Sequence, residues 1–251
     1  MPYIENPKTK GSGILCCIPQ KGVCSVKCPD CFFQSGRSYL EPLEVNLPNM
    51  PSLEQAKHMV VRVNDGNDSN NDRELVMEAV RDYPQRFYNT SIHYDLGGFN
   101  APVVLTLNPG LRTDTSIVVL GQIPDNLMFV RVRVNTWNLH LVKEAVDHYT
   151  KRSIPVVLTF MAYYTENIPT SHKANYSFRQ RTMNSYWVIT PEAWDKIMAE
   201  YAGNQLVYAC GKDANTFACS RCGNCLREYF ATIERMKELA KKRQEQAKVQ
   251  S

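Results

Sequence analysis

No cysteine lies between Cys31 and Cys210, although the chain carries nine of them in 251 residues. In a reducing compartment these are not expected to form disulfides, and an odd count pairs badly. Absent too is any run near the roughly 18 apolar residues of a membrane-crossing helix, so no membrane partner is expected. The stretch MPYIENPKTKGSG lacks the charged-then-apolar pattern of a leader. A cytoplasmic protein is the expectation. Excess charge is also scarce: the net value is +4, with 22% charged residues. Without a local patch that is too little for a nucleic-acid surface. No internal repeat and no low-complexity linker breaks the chain.

What is present is a sizeable apolar fraction, 43%, enough for one large domain. The cysteines sit at 16, 17, 24, 28, 31, 210, 219, 222 and 225. Clustering at both ends around an empty middle points to two metal sites on one scaffold.

The middle alternates strand and helix patterns. Gly13 to Ile18, His58 to Asn64, Tyr88 to Tyr94, Pro102 to Leu107, Ser116 to Leu120, Phe129 to Asn135 and Ile154 to Phe160 are apolar or alternating runs. They amount to about six main strands. Between them, Ser52 and Gln55 form a capping box, and Asn71 with Glu74 form a second capping pair. Leu75, Val76, Ala79, Val80 and Tyr83 recur at helical spacing until Pro84, as do Leu139, Val142, Val146 and Tyr149. Thr190-Pro191 opens a further helix carrying Trp194, Ile197, Met198 and Tyr201 on one face. The final helix starts near Leu226, and its KELAKKRQEQAKVQS end is charged all round and expected to fray. This order argues for an α/β fold with a parallel sheet or partial barrel.

The stretch Val23-Cys24-Ser25-Val26-Lys27-Cys28-Pro29-Asp30-Cys31-Phe32-Phe33 follows the first strand. In a parallel α/β fold that places it at the C-terminal edge of the sheet, where ligand sites gather. Three thiolates can hold three irons of a 4Fe–4S cube and leave the fourth open, as catalytic zinc sites keep one position free. A zinc site completed by Cys16 or Cys17 is the alternative, although zinc prefers C-x2-C pairs on both arms.

Cys24-x3-Cys28-x2-Cys31 resembles the signature of the radical S-adenosylmethionine (radical SAM) superfamily, and its place before a series of β/α units is similar as well. The resemblance spans roughly residues 13–165. It implies a partial (β/α)6 radical SAM-type barrel over 1–165, with a cysteine-rich C-terminal extension over 166–251. It also implies that Cys24, Cys28 and Cys31 ligate a 4Fe–4S cluster whose open iron chelates S-adenosylmethionine. A one-electron reductant such as flavodoxin or ferredoxin would then drive cleavage to methionine and a 5′-deoxyadenosyl radical, which abstracts hydrogen from a peptide, nucleotide or small metabolite. Asp30 stands where the family usually has an aromatic residue, with Phe32 and Phe33 following. For the family's Gly-Gly-Glu-like turn after the second strand, the equivalent here is Asn64-Asp65-Gly66-Asn67-Asp68. Asp65, Gly66, Asn67 and Asp68 are therefore candidate cofactor contacts, with Asn135 at the end of a later strand. Gly97-Gly98 matches the motif in letters but follows the third strand.

Cys210, Cys219, Cys222 and Cys225 form C-x8-C-x2-C-x2-C. Four thiolates close either a second 4Fe–4S cluster or a structural zinc site at 210–225. Cys16 and Cys17 read as small core thiols. His93 falls on an alternating strand that could face inward or outward. Arg131 and Arg133 share a strand face and could bind an anion, and Tyr163 and Tyr164 could line a pocket or pack in the core. A non-catalytic zinc protein presenting an interaction or nucleic-acid surface is the competing class.

Overall fold

The computed structural model describes every residue except 1, 29–30, 32, 34–38, 41–47, 110–116, 181–184, 212–217 and 250–251. Asp30 and Phe32 thus lie outside the described residues.

In chain order the elements are β1 (Ile14–Cys17), α1 (Leu53–Ala56), β2 (Val60–Val63), α2 (Arg73–Ala79), β3 (Arg86–Thr90), β4 (Val103–Leu107), β5 (Leu127–Val134), α3 (Leu139–Thr150) and β6 (Val156–Phe160). Then come β7 (Tyr176–Arg179), β8 (Tyr186–Ile189), α4 (Pro191–Ala199), β9 (Val207–Ala209), α5 (Cys219–Cys222) and α6 (Asn224–Val249). Seven strands form one sheet in the order β1-β2-β3-β4-β5-β6-β9, and every pairing is parallel. The sheet curls into a half-barrel. β7 and β8 make a separate antiparallel hairpin. Among the described residues no helix is long and apolar enough to cross a membrane.

Because side chains alternate along a strand, each strand serves two layers. The outer layer packs Val61, Val63, Tyr88, Val103, Leu105, Val130, Val132 and Val134 against Val142, Val146 and Tyr149 of α3 and Trp194 and Ile197 of α4. The inner layer packs Val60, Phe87, Val104, Phe129 and Val157 against Tyr229, Leu226 and Ile233 of α6. Burial on both faces is what lets these strands be almost wholly apolar at their N-terminal ends.

The local signals act as the residue types predict where nothing competes. Ser52 and Gln55 form a reciprocal capping box on α1, and Thr190 caps α4 with Pro191 at its first position. Elsewhere tertiary structure wins. Asn71 does not cap α2; its amide oxygen accepts from the Ser25 hydroxyl at 2.7 Å, and Asp72 takes the cap position in the left-handed region. Val76, Val80 and Tyr83 are buried but Leu75 is exposed. α2 ends at Ala79, ahead of Pro84.

The run Ser116 to Leu120 forms no strand over its described residues, 117–120. β4 and β5 hydrogen-bond directly to each other, which leaves no slot between them. Ile117, Val119 and Leu120 pack on the outer core instead. The Leu120 amide donates to the Tyr149 hydroxyl at 3.1 Å. β3 stops at Thr90 because the Ser91 amide turns away to donate to the Asp68 carboxylate at 2.6 Å. His93 is therefore off the strand and exposed. The seventh strand, β9, comes from the C-terminal extension, so that extension completes the sheet. The charged tail stays helical to Val249, with Arg243 paired to Asp125 at 2.5 Å.

Candidate metal and ligand site at the sheet rim

The loop after β1 is tied to the loop after β2. Gln20 donates from Nε2 to Asp68 O at 2.8 Å and Asn71 O at 2.7 Å, and Ser25 holds Asn71. Phe33 lies directly on Gly66: a Cβ added there would overlap its ring. Gly66 is not in the left-handed region, so close approach rather than backbone conformation requires glycine. Phe33 itself is buried with Ile18 and Leu40.

These ties place Cys24, Cys28 and Cys31 together at the rim. Cys24 is within electrostatic reach of Cys28, Cys31 and Asp68, and Cys28 of Cys31, Arg133 and Asp68. The Cys31 amide donates to Cys28 O at 3.2 Å, closing the turn between them. The Cys28 sulfur lies 3.6 Å from Ser91 Oγ, just past β3, and 3.7 Å from Asn108 Nδ2, just past β4. Asn108 Oδ1 in turn accepts from Arg133 Nη1 at 3.2 Å. The Ser91 hydroxyl gives its proton to Asp68 at 2.9 Å. In the thiol form Cys28 is therefore the donor to Ser91, and in the thiolate form Asn108 supplies a donor. Burial pushes the Cys24 thiol up to about 11 and raises Cys28, so loading either with a metal at neutral pH releases a proton.

Below the cysteines the inner face turns polar. Arg62, Asn89, Arg131, Arg133 and Thr159 follow Val60, Phe87, Phe129 and Val157 on the same strand faces. Arg62 pairs with Asp65. Burial opposes the Arg62 charge, but the Asp65 carboxylate together with the nearby sulfurs of Cys16, Cys219 and Cys225 outweighs it and holds the guanidinium charged. Asn89 accepts from Arg131 Nη1 at 3.4 Å and donates to Val63 O at 3.2 Å. Thr159 stands opposite Arg133 in register, its buried hydroxyl without a hydrogen-bond partner among the described residues.

The candidate contacts after β2 have protein partners. Asp65 accepts from Arg62 and Asn6. Asp68 accepts from Thr90 Oγ1, Ser91 N, Ser91 Oγ and Asn70 N, all within 2.9 Å. Asn67 Oδ1 accepts from the Asp68 amide at 2.8 Å. These carboxylates are engaged in shaping the loop. Asn135 is buried, its Oδ1 accepting from the Trp137 amide at 3.0 Å and its Nδ2 donating to Tyr163 OH at 3.3 Å, so it fixes the turn after β5. Tyr163 is core, against Trp137 and Tyr176. Gly97 and Gly98 lie in a short 3-10 turn beside Arg73. Cys16 and Cys17 are fully buried.

Cys210, Cys219 and Cys225 also neighbour one another, with Cys222 beside Cys219, near Arg62 and Arg131. Among the described residues, no three Cys, His, Asp or Glu side chains converge enough to hold a metal ion as they stand. The donor sets still suit iron–sulfur or zinc chemistry by type and number: three thiols at one place, four at the other.

Sequence reasoning missed Ser91 and Asn108, which reach the loop from tertiary contacts, and did not foresee that Phe33 packs on Gly66. One signal could have found Asn108: three strands end in asparagine, at Val63-Asn64, Leu107-Asn108 and Val134-Asn135. No family model matches the chain, and neither a curated protein nor a solved structure matches it.

Proposed function

We propose that the chain is a radical SAM enzyme whose 4Fe–4S cluster is held by Cys24, Cys28 and Cys31. The observation that supports this is the placement of three thiols, and no fourth, at the C-terminal rim of a parallel half-barrel, above an inner face that turns from apolar to polar. Cys24, Cys28 and Cys31 would hold the cluster, which when bound would supply one electron for reductive cleavage of S-adenosylmethionine to methionine and a 5′-deoxyadenosyl radical. The chain's own residues do the rest. Asn108 donates toward the Cys28 sulfur, and hydrogen bonds to cluster sulfurs raise the reduction potential. The Phe33–Gly66 contact keeps the loop after β2 close to the three cysteines. Arg133 and Thr159 line the face below, where a hydrogen-donating substrate would sit. A flavodoxin- or ferredoxin-type reductant is required, and reduced cysteines fit a reducing compartment.

The test is anaerobic purification and reconstitution with iron and sulfide. The expected product is brown, with broad visible absorption, and under reduction it converts S-adenosylmethionine to 5′-deoxyadenosine. Cys28→Ala abolishes that conversion. Colourless protein with stoichiometric zinc in the three-cysteine loop would overturn the reading in favour of a zinc-binding interaction protein.

A further inference from the structure

An open sheet leaves two edge strands with unpaired backbone groups, here β1 and β9. The C-terminal cysteines lie in a segment that contacts both β9 and the residues leading into β1. Cys210 directly continues β9, its amide donating to Leu158 O at 2.7 Å. Cys219 opens α5, and its amide donates to Lys8 O at 2.8 Å, in the segment that leads into β1. Leu226, in the first turn of α6, packs where a Cβ at Gly13 would point, at 3.3 Å, one residue before β1. Asn224, between Cys222 and Cys225, returns to the other edge by donating from Nδ2 to Ala209 O at 3.1 Å. Arg227 lies over the Tyr208 ring of β9 at 4.7 Å. Gly223, at φ 68°, makes the left-handed turn that joins the two helices. One short segment therefore grips both edges at once.

The sheet meets this segment with positive charge. Arg62 and Arg131 both lie within electrostatic reach of Cys225, and Arg62 also of Cys219. Arg62 already has Asp65. Arg131 has Asn89 Oδ1 at 3.4 Å and the Phe129 ring at 5.7 Å. It makes no ion pair with a carboxylate among the described residues. A guanidinium inside a fold is costly without an anion, and four thiolates around a zinc ion or an iron–sulfur cube form an anionic centre.

We propose that Cys210, Cys219, Cys222 and Cys225 bind a metal as a tetrathiolate centre that clasps the β1 and β9 edges of the half-barrel, with Arg131 and Arg62 balancing its charge. Binding draws the four thiols together and releases their protons to solvent; nothing is oxidised or reduced. Zinc and a 4Fe–4S cube share this ligand chemistry. The clasp does not depend on how the three-cysteine loop is used.

Metal analysis of the Cys28→Ala protein reports the second centre apart from the first. About one zinc, or about four iron with matching sulfide, is expected per chain, and the count says which source fills the site. Hydrogen exchange is then compared before and after removal of that metal by a chelator under native conditions. Exchange at the amides of both β1 and β9 is expected to speed by about tenfold or more, while β4 and β5 hold. Absence of metal in this protein, or metal loss with unchanged exchange at either edge, would overturn the clasp. Arg131→Gln leaves every cysteine in place and should lose its metal to the chelator about tenfold faster; an unchanged rate would refute the charge assignment.

Discussion

On the outer face of the sheet, Val61, Val63, Tyr88, Leu105, Val130 and Val132 make an apolar layer from one end of the strands to the other. On the inner face the same strands begin with Val60, Phe87, Phe129 and Val157 and then pass to Arg62, Asn89, Arg131, Arg133 and Thr159. Both faces share backbone, register and curl, so the difference belongs to the side chains alone. A face built only for stability has no reason to change character along its length. The change points toward the C-terminal ends, where Cys24, Cys28 and Cys31 also lie. It is therefore the gradient on the inner face, rather than any single arginine, that supports placing the proposed site at this end.

The strongest way to break this comparison is to damage the outer face. Leu105 is fully buried there, and Leu105→Ala should cost about 2–5 kcal/mol through lost burial and a residual cavity. Chemical denaturation would show it as a lower midpoint. S-adenosylmethionine cleavage per folded molecule should be unchanged. Lost cleavage in protein that is still folded would mean that the faces are not separable.

Gly66 is where fold and site press on each other. Gly66→Ala puts a methyl group into the Phe33 ring, which must move and take the three-cysteine loop with it. The expected cost is about 1–3 kcal/mol, with lower cluster occupancy after reconstitution. Adding Phe33→Ala should relieve the clash, so the double variant should be less unstable than the two single costs summed. Strict additivity would remove Phe33 as the cause.

The same residue shows how far the sequence could be read. Apolar runs and period-2 patterns located six of the seven strands of the parallel sheet, because burial on both faces leaves a strong local mark, but they gave no sign of the β7–β8 hairpin. Val207–Ala209 was missed because three residues carry too little pattern. Ser116 to Leu120 carried a strand pattern without a slot to fill, and only the direct pairing of β4 with β5 reveals that. The cysteines were legible since their chemistry depends on spacing along the chain. Their surroundings were not: Ser91 and Asn108 lie 63 and 80 residues from Cys28 in sequence. The acids of the β2 loop looked available to a ligand because several of their donors are also distant in sequence, Asn6 by 59 residues from Asp65 and Thr90 and Ser91 by 22 and 23 from Asp68.

On the inner face the expected sign of a stability change reverses. Thr159 buries a hydroxyl with no hydrogen-bond partner among the described residues. Thr159→Val keeps the shape and removes that desolvation cost, so stability should hold or rise by about 1 kcal/mol. If this face is shaped for a ligand, the same change should slow 5′-deoxyadenosine formation. A variant that is both more stable and equally active would assign Thr159 to packing.

The smallest expected effect returns to the outer layer, at Tyr201, which packs against that core beyond the end of α4. Its hydroxyl is buried without a hydrogen-bond partner among the described residues. Burial first, then the Glu200 and Asp147 carboxylates, push its pKa up to about 12, against about 10 in an unfolded chain. The folded state thus holds the proton more tightly. That contribution to stability is complete below pH ~10 and drains away as pH rises toward the folded value near 12. Tyr201→Phe should match or slightly exceed the parent at pH ~8 and lose less stability on going to pH ~11, because one group that ionises preferentially in the unfolded chain is gone. Tyr83 and Tyr176 shift in the same direction, so only the difference between parent and variant isolates this residue. Paired urea melts at the two pH values measure it. Parallel losses would mean that Tyr201 ionises alike in both states, and that this part of the outer layer is more open to water than its packing implies.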